Sequence, residues 1–493
     1  MNAPHTLFPQ VPPASTGPAM GQSHIHESAR AQVAGAAHYI DDLPEVKGTL
    51  YAAPILSTVA HGRLNGVDAR AALALSGVRG VVLAADVPGD KLLAAFAHDE
   101  PVFAVDTVQH MGQVVGLVVA DSVMQARRAA RAVQLDITPL PAVLSVQAAL
   151  QAESYVLPPV FVRRGDAAAG LVQAPHRLQG AFEVGGQEHF YLEGQIAYAI
   201  PQEQKQWSIH SSTQHPGEVQ HWVAHALGID NHAVRVECRR MGGGFGGKET
   251  QAGHLAVWAA VAAHKFGRPV KLRLDRDEDF MVTGKRHPFA YKYDVGFDDT
   301  GRITGLKLQM AANCGFSADL SGPVADRAVF HADNAYYLSD VEIASYRCKT
   351  NTQSHTAFRG FGGPQGVIVI EAILGDIART LGRDALAVRL ANLYGKDASA
   401  GRNITHYQMT VEDNILHALL PQLEQTSRYR QRQADIAAWN AQSPVLKRGL
   451  AITPVKFGIS FTATLFNQAG ALVHVYTDGS VQVNHGGTEM GQG

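Results

Sequence analysis

Gly242-Gly243-Gly244-Phe245-Gly246-Gly247-Lys248-Glu249 places five glycines in eight residues and follows them with a cation and a carboxylate. Upstream, Ala233 to Cys238 alternates apolar and polar residues, as a strand does. Downstream, Gln251 to Phe266 reads as an apolar helix that stops at Gly267. A glycine-rich turn that opens a helix presents free backbone N–H groups and the positive end of the helix dipole. It also lets a bulky ligand approach the main chain without meeting Cβ atoms. The chemistry on offer is the binding of an anion or an oxo group.

A nucleotide phosphate is the first ligand to weigh, because Gly242 to Lys248 satisfies most of the Walker A pattern. That pattern needs Ser or Thr after the lysine to ligate Mg²⁺, and Glu249 would repel phosphates instead. Two further glycine stretches resemble the first in composition. Phe358-Arg359-Gly360-Phe361-Gly362-Gly363-Pro364-Gln365 opens a helix expected over 365–381 and adds an aromatic pair and an arginine. It reads as a platform for a planar ligand with a cation beside it, or as a packed turn. Gly486 to Gly493 is the third stretch. Together they suggest a large ligand with many polar edges. His189 and Glu193 lie four apart, a spacing a helix could use for a metal, but a third ligand is missing and a packed polar segment is the preferred reading.

The elements that must position these loops fall into two units. Residues 1–28 form a Pro/Ser/Ala-rich tail expected to be flexible, with no cationic and apolar pattern of a signal peptide. Residues 29–145 alternate short helices and strands: Asp68 is placed to cap a helix before the strand 78–84, 114–119 is a buried strand, and Asp121 opens a helix through Arg131 before the strand 133–138. Prolines 139, 141, 158 and 159 mark a less regular linker over 146–173. From 174 to 493 helices, hairpins and strands mix without a βαβ rhythm, so the class is α+β. Hairpins are expected around Asp298-Asp299-Thr300-Gly301 and Asp478-Gly479.

With 493 residues, 46% hydrophobic content and a net charge of -2, the chain can bury large cores and offers nothing to nucleic acid or an anionic membrane. No apolar run approaches the roughly 18 residues of a membrane span. Its 3 cysteines, Cys238, Cys314 and Cys348, are too scattered for a disulfide framework or an iron–sulfur cluster. A reducing, cytoplasmic setting is expected.

Taken in order, Gly186 to Glu193, Ser212-Thr213-Gln214, Met241 to Glu249, Asp326-Arg327-Ala328, Thr356 to Gln365, Lys456 to Phe461 and Gly486 to Gly493 make the chain resemble the molybdenum-binding subunits of the xanthine dehydrogenase branch of the molybdenum hydroxylases. The resemblance covers nearly everything after the tail. It implies that 29–145 is an α/β hammerhead domain and that 174–493 is the first part of a large mixed α+β molybdopterin-binding domain. It further implies a molybdenum–molybdopterin cofactor whose metal is held by the pterin dithiolene, in keeping with the lack of a protein ligand cluster. By similarity Gln214, Phe245 and Arg359 lie near the molybdenum, and Gly246, Met490, Gly491 and Gln492 complete the cofactor cradle.

The same resemblance implies substrate roles. A carboxylate after Gly-Gly-Lys and an arginine across the pocket mark purine oxidisers, and here these are Glu249 and Arg327, with Phe361 as an aromatic face for the heterocycle. A Glu249–Arg327 salt bridge without a substrate role is the plainer alternative. The implied activity is hydroxylation of hypoxanthine and xanthine to urate with oxygen from water. Electrons would pass to a partner subunit carrying [2Fe-2S] clusters and FAD, in a heterotetramer. The family's general-base glutamate, set in a Gly-Glu-Pro motif, is absent from this sequence, and a natural end at Gly493 is not expected. An aldehyde or other N-heterocycle hydroxylase, and an inactive fragment serving assembly, are the alternatives.

Overall fold

A computed structural model of the chain describes residues 21–396, 401–459, 461–462 and 464–492. Its largest sheet joins segments far apart in sequence. The strand order is Val234–Glu237, Trp207–Ser211, Ile196–Pro201, Val270–Arg273, Leu50–Leu56, Val114–Ala120 and Val78–Leu83. Leu50–Leu56 pairs in parallel with Val270–Arg273, with Leu50 opposite Val270, and antiparallel with Val114–Ala120. The expected hammerhead strands and the strands that follow 174 therefore share one sheet and one core, in which Leu50 and Leu117 are clustered with Ala199, Trp222, Ala256 and Trp258.

The helix Gln251–Phe266 lies in that core and is buried from Gln251 to Ala263. Its sequence is apolar all round because the sheet covers one side and the helix Pro216–Leu227 the other. Gly253 makes the helix crossing possible, since a Cβ there would stand 2.4 Å from the Trp222 ring. Both helices end as the sequence suggests, on the left-handed caps Gly228 and Gly267.

The second sheet has the order His176–Val184, Phe289–Phe297, Ile303–Gly315, Val341–Lys349 and Tyr155–Arg164. The helices Ser321–Phe330 and Gly363–Leu381 pack over it, with Ala328, Val329, Ile370, Ile373 and Ile377 in its core. Tyr155–Arg164 corrects the expected linker over 146–173: it is a ten-residue strand, flanked by the helices Val146–Gln151 and Ala167–Gln173. Pro158 and Pro159 are compatible with a strand here because it is the sheet edge and the register slips beside them, between Ser345 and Arg347 of the neighbour.

Other expectations hold with small shifts. The helix placed after Asp121 is Val123–Ala130, capped by Ser122, while Asp121 pairs with Arg79. The helix expected over 365–381 begins earlier, as Gly363–Leu381. Both hairpins form, Phe289–Phe297 with Ile303–Gly315 and Ala471–Val475 with Val481–His485. The end of the tail is the other correction. Residues 1–20 lie outside the described residues, but His26 Nε2 stands 2.5 Å from Glu489 Oε2, and Ser28 Oγ accepts from Arg240, so residues 26–28 are held by Arg240 and Glu489. No described helix is long and apolar enough to cross a membrane.

Candidate functional site

The three glycine stretches converge on one cavity of about 420 Å³. Gln214, Phe245, Gly246 and Glu249 line one side, residues 357–361 a second, and Met490, Gly491 and Gln492 a third. Backbone hydrogen bonds lace the stretches together. Arg359 N–H donates to Phe245 O at 2.9 Å, and Met241 N–H donates to Glu489 O at 2.7 Å. Each stretch also contributes a positive-φ glycine to the wall: Gly246 at 98°, Gly360 at 97° and Gly491 at 104°. The wall is therefore main chain rather than side chain at these three points. Phe245 and Phe361 adopt left-handed φ of 55° and 49°, strain of the kind that concentrates at ligand sites.

Gln214 fixes the first loop. Its Oε1 accepts the Gly246 N–H at 2.8 Å, and its own N–H donates to Lys248 O at 2.8 Å. With Oε1 engaged, the Nε2 group is left to donate to a ligand in the cavity that this residue lines. Two helices, Gln251–Phe266 and Gly363–Leu381, start just past the lining residues Glu249 and Phe361, adding their N-terminal dipoles.

Lys248 does not face this cavity as a phosphate lysine would. It is 0% exposed and donates to Glu193 O at 2.7 Å, Ser212 Oγ at 2.7 Å and Glu193 Oε2 at 3.2 Å. Glu193 also accepts the Gly242 N–H at 2.8 Å, so the pair staples the loop from behind. His189 Nε2 lies 2.7 Å from Ala357 O, and its ring packs 4.6 Å from Phe358. The packed reading of His189 and Glu193 is the one realised. No cluster of three or more metal-ligating side chains occurs among the described residues. The site thus fits a ligand that brings its own metal ligands and needs oxygens, ring edges and a bulky body held by backbone donors.

Glu249 is partly buried at the cavity wall. Burial pushes its carboxyl up to about 7, with Glu218 adding to the shift and His215 opposing it. Arg327, on the helix Ser321–Phe330, is 5% exposed and stands behind the wall rather than on it. Its guanidinium lies 5.6 Å from the Phe361 ring centre and 5.4 Å from that of Phe457, and it donates to Gly458 O. Burial lowers its pKa from the usual guanidinium range. No Glu249–Arg327 ion pair forms among the described contacts, so the plain salt-bridge alternative is not realised. Phe461, not singled out from sequence, packs 5.3 Å from Phe361 and 6.0 Å from Phe96, extending the aromatic wall to the first unit. The aromatic pair in Lys456-Phe457-Gly458-Ile459-Ser460-Phe461 was the available signal.

Comparison with known proteins fits this geometry. Residues 34–141 match the aldehyde oxidase and xanthine dehydrogenase a/b hammerhead domain, and residues 153–393 and 422–493 match molybdopterin cofactor-binding domains. The xanthine dehydrogenase/oxidase of Gallus gallus is 43% identical over 489 residues, which is 99% of this chain and 36% of that protein. The xanthine dehydrogenase of Calliphora vicina is 41% identical over 477 residues, 96% of this chain and 35% of that one. The chain thus spans about a third of the length of these relatives. Among solved structures, quinoline 2-oxidoreductase from Pseudomonas putida aligns with a TM-score of 0.74 at 26% identity, over 85% of this chain and 56% of that one. An aldehyde oxidoreductase from Desulfovibrio desulfuricans aligns at 0.82 and 23% identity, over 93% and 52%, a likeness of fold. By matched domains, their order and the convergence of the glycine stretches, the chain belongs to the aldehyde oxidase and xanthine dehydrogenase family, of which it carries the hammerhead and molybdopterin cofactor-binding domains.

Proposed function

We propose that the chain is the molybdenum-cofactor part of a xanthine dehydrogenase that hydroxylates hypoxanthine and xanthine to urate. The observation that carries this is Glu249 on the cavity wall, one residue past the glycine loop, with Phe361 and Arg327 next to each other beyond it. The chemistry that a bound molybdenum–molybdopterin supplies is transfer of a water-derived oxygen to carbon with uptake of the electron pair. Gln214, Phe245, Gly246, Arg359, Met490, Gly491 and Gln492 are the residues we assign to hold it.

The side chains then divide the work on the purine. Phe361 and Phe461 offer ring faces to a flat heterocycle. Glu249, poised near neutrality, presents either a proton or a lone pair to ring nitrogen edges. Arg327 stabilises negative charge that develops on a purine carbonyl oxygen, a contact stronger in the transition state than in the ground state. In this structure its guanidinium packs beside the Phe361 and Phe457 rings and donates to Gly458 O. Electrons leave through a partner carrying [2Fe-2S] clusters and FAD, in a heterotetramer, and the setting is cytoplasmic.

The test is steady-state turnover of the full-length, molybdenum-loaded protein with xanthine, hypoxanthine and an aromatic aldehyde side by side. A kcat/KM for xanthine above that for the aldehyde supports the assignment. Preference for the aldehyde replaces it with the aldehyde-oxidising reading.

A further inference from the structure

Behind the cavity wall lies a second polar cluster that the proposed chemistry does not use. Glu100, on the strand His98–Pro101, stands 2.9 Å from His254 Nε2 and accepts from Ser317 Oγ at 2.7 Å. Asp319 is 6% exposed and holds a left-handed φ of 35°, unusual for a residue other than glycine. It accepts from Gln251 Nε2 at 3.4 Å, and the hydroxyls of Thr250 and Thr356, which stand 3.2 Å from each other, act on its carboxyl. Gln251 Oε1 in turn accepts the Gly284 N–H at 2.9 Å.

These contacts place Asp319 at the junction of three pieces of the pocket. Thr250 follows Glu249 directly. Thr356 precedes Ala357, which lines the cavity. Asp319 itself precedes the helix Ser321–Phe330 that carries Arg327. Its neighbour Leu320 packs with Val324, Ala357 and Phe361, so the same junction continues into the aromatic wall.

We propose that Asp319 is a positioning residue for the pocket: its buried carboxyl holds the Glu249 turn, the Ala357 loop and the start of the Arg327 helix at a fixed spacing, while the Glu100–His254 pair behind it fixes the surrounding charge. The inference rests on the assignment of Glu249 and Arg327 as substrate contacts. The charge pattern supports it. Against the cost of burial, His254 holds Glu100 below the ordinary carboxylate range, and Glu100 holds the His254 imidazolium above its own. Burial first and Glu100 second push the Asp319 carboxyl up to about 7, with Thr356, Thr250 and His254 opposing. Asp99 on the same strand is also raised, chiefly by burial, and His110 and His355 are kept neutral by burial, down to about 4 and about 3. The carboxyl accepts from the Gln251 amide and faces the hydroxyls of Thr250 and Thr356, as the Oδ1 of an asparagine could also do.

This makes asparagine the conservative replacement and alanine the disruptive one. In the full-length, molybdenum-loaded protein, Asp319→Ala should raise KM and lower kcat, reducing kcat/KM by on the order of 10–100-fold through misplaced groups, and Asp319→Asn should restore most of it. A second readout needs no turnover. The infrared titration of the Glu249 carboxyl, identified by its loss in Glu249→Gln, should move in Asp319→Ala and stay in Asp319→Asn. Thr356→Val, which removes one hydroxyl and leaves the carboxyl, should give a smaller effect of the same kind and serves if Asp319→Ala does not fold. An unmoved Glu249 titration in the folded alanine variant, or an asparagine variant as impaired as alanine, overturns the proposal. If the titration moves as expected but Glu249→Gln leaves purine turnover intact, the positioning role stands and the substrate assignment falls.

Discussion

Gln214 Oε1 accepts the Gly246 N–H at 2.8 Å, so a side chain from the segment after one strand sets the conformation of the glycine loop after another. The same loop is fixed from behind by Lys248 and Glu193 and from the far side by Arg359 N–H on Phe245 O. A loop with five glycines would otherwise be free to sample many conformations, and ordering it before the ligand arrives lowers the entropic cost of binding.

Gly246→Val should therefore lose the cofactor. Gly246 has φ 98°, and a Cβ there would lie 2.8 Å from Ala357 C and O, both backbone atoms with no room to give. Strain of about 1–3 kcal/mol is expected in the loop even before the branched methyls are placed. Molybdenum per chain, measured on folded protein, should fall. Full occupancy and full activity would reduce the loop to a turn.

Glu249→Val and Arg327→Met should each lower purine turnover in the full-length enzyme. Loss of the arginine should cost about 3 kcal/mol, or roughly 100-fold, and appear in kcat as well as kcat/KM. The double variant leaves an apolar pocket and should prefer aldehydes. An unchanged ratio of purine to aldehyde activity in folded, metal-loaded variants defeats the purine assignment.

The raised Glu249 carboxyl has a definite consequence for stability. Its neutral form is favoured in the folded chain, with the group moved from 4.5 to about 7. The unfolded chain releases this proton first, so the group costs nothing in acid and its penalty grows as pH rises toward about 7, then levels off. Glu249→Gln should flatten that decline between about pH 5 and about pH 8, read as urea midpoints. Asp319 contributes with the same sign over the same range, so the single variant should remove part of the slope and Glu249→Gln/Asp319→Asn more of it.

Lys248→Met should destabilise strongly. It removes a fully buried ammonium and leaves the Glu193 carboxylate, itself 12% exposed, without its counter-charge. Breaking one side of such a pair costs about 3–5 kcal/mol, and adding Glu193→Gln should recover part of it. Chemical denaturation of the single and double variants makes the comparison, and a single variant as stable as the parent would show that Glu193 is solvated after all.

Much of the site was legible because glycine chemistry is local. The three glycine stretches could be placed by type and order, and Gln214 by resemblance, and they line one cavity. Glu249 was legible for the same reason, as the residue that breaks the Walker pattern. Arg327 was legible as a residue but not as a position, because its place behind Phe361 depends on the packing of Phe457 and Gly458 from a distant segment. Asp319 was invisible, since its role arises only from burial beside Thr250, Thr356 and Glu100. In the fold, helix ends at Gly228 and Gly267 and both hairpin turns followed from local signals. The strand Tyr155–Arg164 did not, because its prolines read as breakers unless the strand is known to lie at an edge. Nor did the common sheet, which depends on pairing across the chain.

That pairing has a consequence for biosynthesis. Leu50–Leu56 leaves the ribosome before the strand beside it, Val270–Arg273, which follows roughly two hundred residues later. At about 5–20 residues per second the first strand waits on the order of 10–40 seconds with one edge open. During that interval a run such as Leu50-Tyr51-Ala52-Ala53-Pro54-Ile55-Leu56 offers unpaired N–H and C=O groups to any other strand nearby. Pro54 interrupts the row of donors in the middle of that exposed edge. The nascent chain should therefore depend on chaperone capture until the helix Gln251–Phe266 and the strand after it arrive.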